Sequence, residues 1–127
     1  MRIISRNGEV VAVVFDGMFE EGTKPLTDEK WALQIVSLKH PKGKKLVSHT
    51  HKPTQRTTEY LMEFLLIMSG VVNVYVYHGL EMIEKIQLTS RKGILMVKGG
   101  IGIEIIEDAE MMEFKNGPFI EDKVIIE

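Results

Sequence analysis

The 127 residues suffice for one domain around one core, and 44% apolar with 27% charged residues exclude a disordered chain or a membrane protein. With no cysteine there is no disulfide, iron–sulfur cluster, thiolate zinc site or cysteine nucleophile, so any metal must be held by nitrogen and oxygen. A net charge of −2 gives no general attraction to nucleic acid or anionic lipid.

Strand signals dominate the chain. Asn7-Gly8, between Ile3-Ile4 and the apolar run Val10–Phe15, predicts a hairpin, because both residue types tolerate the positive φ of a type I′ turn. Residues 16–30 read as a long polar connection, with Thr27 or Asp28 able to cap a short helical turn. Trp31–Lys39 reads as a strand ended by Pro41-Lys42-Gly43. The basic run Lys39–Lys45 surrounds that turn and reads as a solvated turn, not a nucleic-acid patch.

Leu46–His51 follows as a strand, then a polar loop from Lys52 to Glu59. Tyr60–Met68, Val71–His78, Leu80–Leu88 and Ile94–Lys98 read as further strands, with Ser69-Gly70 and His78-Gly79 as tight turns. Ile101–Ile106 and Met111–Lys115 form a last pair joined by Glu107-Asp108-Ala109. Many short strands without a long helix predict an all-β sandwich or barrel. No apolar stretch approaches the roughly 20 residues needed to span a bilayer, and no signal-peptide h-region opens the chain. The expectation is a cytoplasmic protein without nucleic-acid or membrane partners.

Strand parity places Glu63, Leu65 and Ile67 on one face of Tyr60–Met68 and Met62, Phe64, Leu66 and Met68 on the other. A strand apolar on both faces must be covered on both. The second cover is either another subunit, which predicts a homodimer, or the long N-terminal segment of the same chain.

The chemistry-bearing pattern is Gly43, His49, His51, Glu63 and Gly70, spaced G-x5-H-x-H, then eleven residues, then E-x6-G. Two histidines one residue apart share a face of a strand, and a carboxylate nearby closes a set able to hold a divalent metal. Gly43–His51 and Glu63–Gly70 resemble the two halves of the first cupin motif. The resemblance covers about residues 31–117 and implies a double-stranded β-helix, or jelly-roll barrel, with residues 1–30 packed on it in one domain of residues 1–127.

The resemblance also implies a metal (iron, manganese, nickel or zinc) on His49, His51 and Glu63. The chain departs from the family in two places. Its gap between His51 and Glu63 is longer than the motif's, and Ile101 stands where similar small cupins carry a third histidine. Isoleucine cannot ligate a metal, so the implied set is two imidazoles and one carboxylate. Glu104 has the opposite strand parity from Ile101 and Ile103 and points outward if they fill the barrel. Arg56 offers a fork for a ligand carboxylate or phosphate, and Gln55, Tyr60 and His40 are candidates to line the mouth.

The expected function is a barrel holding a divalent metal and a small polar ligand, such as a sugar derivative or small acid. As an enzyme it would use the metal as Lewis acid in isomerisation or oxygenation, with catalytic residues unassigned. Two alternatives stand beside it: a non-catalytic binding or sensing module with a degenerate metal site, and a metal-free sugar-nucleotide isomerase-like cupin with His49 or His51 as base.

Overall fold

The computed structural model describes residues 1–126 as an all-β, strongly curled antiparallel structure, with no helix among the described residues. Strands β1 (Arg2–Arg6) and β2 (Glu9–Phe15) form the predicted hairpin. Asn7 and Gly8 take φ of 53° and 75°, the left-handed pair a type I′ turn needs. β3 (Gly22–Pro25) pairs only with β4 (Val36–Lys39). The main sheet continues with β5 (Glu63–His78), β6 (Glu81–Thr89), β7 (Gly93–Met96) and β8 (Gly100–Lys115).

The sheet order is β1-β2-β7-β5-β6, with β8 on β5's other edge. β5 shares one edge between two partners: Glu63–Leu66 pair with β7 and Val71–His78 with β6. β8 runs along the opposite edge, from Glu63↔Lys115 to Tyr77↔Gly100. The curl brings the remote strands β1 and β6 together, where Arg2 pairs with Glu84 and Arg6 with Glu81.

Several sequence expectations are corrected. Ser69-Gly70 does not reverse the chain. Gly70 takes φ 88° inside a continuous 16-residue strand, and the register with β8 shifts around it, so the glycine makes a bulge that bends β5. Glu107-Asp108-Ala109 likewise lies within one strand.

The strand expected at Trp31–Lys39 shortens to Val36–Lys39 because the residues before it satisfy their backbone locally. Gln34 Nε2 donates to the carbonyls of Asp28 and Trp31 at 2.8 and 2.9 Å, and the Thr27 hydroxyl accepts the Ile35 N–H at 3.2 Å. No helical turn forms at Thr27 or Asp28; Asp28 instead accepts the Lys30 N–H in a tight turn. Leu46–His51 is not a strand either: residues 41–61 are all exposed and run without regular structure.

The sheet has an apolar cluster on each face. The concave one gathers Ile4, Ala12, Val14, Leu65, Ile67, Val72, Val74, Val76, Leu88, Ile94 and Met96. The other gathers Val13, Phe15, Met62, Phe64, Leu95 and Val97. Leu26, Trp31, Ala32, Leu33 and Ile35 pack against this second cluster, so the N-terminal segment of the same chain covers the doubly apolar strand. Within residues 1–30, β1 and β2 are strands of the main sheet itself. Among the described residues, no helix is long and apolar enough to cross a membrane.

Candidate functional site

Glu63 opens β5 on the concave face, between Met96 of β7 and Lys115 of β8. Parity puts Leu65 on the same face, and its partner across the pair is Glu113. The Glu63 carboxyl is pushed above its ordinary value, first by burial and then by the neighbouring Glu113 carboxyl. Lys115 and Lys123 act in the opposite direction. Lys115 Nζ also lies 3.5 Å from Glu113, so two acids and two lysines meet at one end of the β5–β8 pair.

This end of the sheet opens into a cleft of about 610 Å³. Glu63, Lys115 and Lys123 line it together with Arg56 and Tyr60, and with the acids Glu59, Glu121 and Asp122. Asn116 ties the cleft walls together. Its Oδ1 accepts the Met62 N–H at 2.7 Å, and its Nδ2 donates to Thr58 Oγ1 at 3.2 Å and to the Tyr60 carbonyl at 3.4 Å. Lys98 Nζ sits over the Tyr60 ring, 5.9 Å from its centre, and pairs with Glu9 at 3.0 Å. A half-buried acid beside exposed cations can accept or release a proton against an anionic ligand held by the cations.

Of the sequence-predicted residues, Arg56, Tyr60 and Glu63 come together at this cleft. Arg56 donates to the Thr54 carbonyl of its own loop at 3.3 Å. Gln55 is exposed and does not line the cleft, and His40 bonds to Thr23 at 3.0 Å, away from it.

His49 and His51 lie on the exposed irregular segment with their rings edge to face, 5.1 Å between centres, and His49 Nδ1 donates to the Val47 carbonyl. Among the described residues, no three His, Asp or Glu side chains are grouped to hold a metal ion. As arranged, His49, His51 and Glu63 therefore do not form the expected ligand set. Ile101 pairs with Val76, thirteen positions along β5 from Glu63, and packs on the core instead of facing that carboxylate. Glu104 points outward as parity requires, accepting from Tyr75 at 2.7 Å.

Lys115, Asn116 and Lys123 were not among the sequence candidates. Asn116-Gly117 is a turn dipeptide closing the last strand, which marks a loop but not which loop it meets. Comparison with protein-family models, curated proteins and solved structures gives no match.

The displaced Glu63 carboxyl gives a signed pH effect. An acid whose pKa is raised by folding binds more protons folded than unfolded in the interval between its two pKa values. Stability therefore falls as pH rises through that interval, and the cost is complete above the folded-state value. Glu63→Gln should raise Tm at neutral pH and leave it unchanged below the ordinary carboxylate range; thermal melts across pH 3 to 8 read the difference. Equal melting of both proteins at neutral pH would mean that the carboxyl carries no such cost.

Proposed function

We propose that the chain is a cupin-type binding barrel that takes a small anionic ligand, a sugar acid or other small carboxylate, in the cleft at Glu63. The supporting observation is that Arg56, Lys115 and Lys123 share this cleft with the half-buried Glu63 and with Tyr60. Three further acids, Glu59, Glu121 and Asp122, also line it, so the cations and not the net charge of the lining carry the reading. Arginine forks and lysine ammonium groups recognise carboxylates, an aromatic ring packs against a sugar face, and an acid of raised pKa remains a hydrogen-bond donor at higher pH than usual. In this reading the site binds or senses and no reaction is assigned to it. The chain's own Leu26 and Trp31–Ile35 pack against the cluster that holds Met62 and Phe64, the alternative cover expected for this face, while Met68 stays half exposed.

Isothermal titration with glucuronate, glucose 1-phosphate and succinate tests the proposal. At least one should bind saturably, and Arg56→Ala with Lys115→Ala should weaken it tenfold or more, since two charge-assisted contacts at about 1.5 kcal/mol each exceed that factor. Undiminished binding by the double variant would place the ligand elsewhere.

A second reading rests on the motif spacing and the adjacent His49 and His51 rings. It is a divalent-metal site on these histidines and Glu63, which requires residues 46–51 to move onto the sheet. A bound metal would supply a Lewis acid. Metal content after loading untagged protein with iron, manganese, nickel or zinc should drop to background in His49→Ala/His51→Ala; equal content in both proteins eliminates this reading.

A further inference from the structure

Two features of opposite charge are left largely without partners by the fold, Lys39 with Glu21 and Glu113 with Lys115 being the ion pairs each makes. Residues 39–56 carry five lysines and Arg56 and no acid. Residues 41–61 are exposed throughout, and apart from the Lys44 N–H to Pro41 carbonyl turn no backbone–backbone hydrogen bond ties this stretch down among the described residues. Residues 99–114 carry five acids and neither lysine nor arginine. They belong to β8, whose ladder partner is β5 alone, so its other edge is left without a strand from Glu104 to Glu110, while Ile126 lies against Gly100 at the strand's start.

Glu104, Glu107, Asp108 and Glu110 meet no cation at ion-pair distance among the described residues. Their contacts are neutral where they have any: Tyr75 and Asn73 donate to Glu104, and Ser69 donates to Glu110. Glu104 is held below its ordinary pKa first by those donors and, more weakly, by Lys85, which lies beyond ion-pair distance. Beside these acids the concave face leaves Ile103 and Ile105 exposed by 37% and 52%, and the basic segment exposes Leu46 and Val47.

We propose that the basic segment 41–56 is a strap that docks on the acidic open edge of β8, setting Leu46 and Val47 against Ile103 and Ile105 and closing the barrel beside the Glu63 cleft. The strap is tethered where it must be: Asn116, just past β8, holds Thr58 and Tyr60 at the strap's C-terminal end. From Thr58, eleven extended residues reach about 36 Å, enough to follow β8 from its C-terminal end past Glu107. The tether raises the effective concentration of the basic residues at the edge, so the modest attraction of exposed charges is sufficient to bias closure. The open strap leaves the cleft accessible, and the docked strap narrows it. This device stands whether or not the cleft binds a carboxylate.

The chain has no cysteine, so Ser48→Cys accepts a single nitroxide label on the strap. Paramagnetic broadening of the amides from Glu104 to Glu110 is the readout. Broadening is expected at low salt and should be lost in 1 M salt, where the screening length falls to ~3 Å from ~10 Å at 0.1 M. It should also be lost in Glu104→Gln/Glu107→Gln/Asp108→Asn/Glu110→Gln and, on the exposed side of the pair, in Lys42→Gln/Lys44→Gln/Lys45→Gln/Lys52→Gln. Unchanged Val13 and Leu95 amides report that the fold is kept. No broadening at low salt, broadening that survives either charge-neutralised variant, or broadening seen only when labelled protein is mixed with isotope-labelled unmodified protein would overturn the proposal. The last outcome would place the strap on a second copy.

Discussion

Gly70→Ala should destabilise the protein by about 3 kcal/mol or more, the combined cost of backbone strain and of overpacking. The glycine sits at φ 88°, where a side chain is strained in any surroundings. An added Cβ would also lie 2.1 Å from the Asp108 carbonyl oxygen and 2.7 Å from the Ala109 Cα, both backbone atoms of the paired strand. The β5 bulge and β8 would have to part. Gly43, the other glycine of the motif, is the matched control. It has φ 87° with nothing within 4 Å of the added Cβ, so Gly43→Ala should cost only the conformational term of about 1–2 kcal/mol. Urea denaturation of the three proteins checks the ranking, and equal midpoints for Gly70→Ala and Gly43→Ala would contradict the close approach of β5 and β8.

Ile67→Ala should cost about 3 kcal/mol, lowering Tm by roughly 10 °C for a chain of this size. Ile67 is fully buried in the concave core, and its backbone is fixed at both ends: its N–H donates to Lys92 and its carbonyl accepts from Arg91. The site cannot collapse to refill the lost volume. Met68, the next residue, points the other way and is half exposed, so Met68→Ala should stay within about 0.5 kcal/mol. Thermal melts of the two single variants decide whether the inward parity of β5 holds up to the bulge.

That parity was legible in the sequence, because a period of two needs no knowledge of partners. Glu63, Leu65 and Ile67 do share the concave face, and Phe64 and Leu66 the other. The Asn7-Gly8 hairpin was legible for a similar reason, since the turn is specified by two adjacent residues. Three features were not. A Ser-Gly pair signals positive φ, but the same φ serves a hairpin turn or a bulge, and only the partner strand β8 decides. The pairing of β3 with β4 depends on Gln34 reaching back to Asp28 and Trp31, a local bond that outcompetes the apolar alternation of Trp31–Ile35. The cleft joins residues more than fifty positions apart, Arg56 to Glu63 on one wall and Lys115 to Lys123 on the other, and no local pattern encodes that meeting. The histidine pair was the clearest signal in the sequence, yet Leu46–His51 is exposed and unpaired, so a strand pattern of six residues did not by itself secure a place in the sheet.

The claim on which the functional reading rests is that an anionic ligand occupies the cleft at Glu63. Amide chemical shifts followed during titrations with glucuronate, glucose 1-phosphate and succinate test it most directly, and the absence of a saturable shift with all of these would contradict it. The account predicts saturable shifts at Glu63, Lys115, Asn116 and Gly117, abolished in Arg56→Ala/Lys115→Ala and with no change at Val13 or Leu95. Saturable shifts confined to other parts of the sheet, or the same shifts in the double variant, would contradict it.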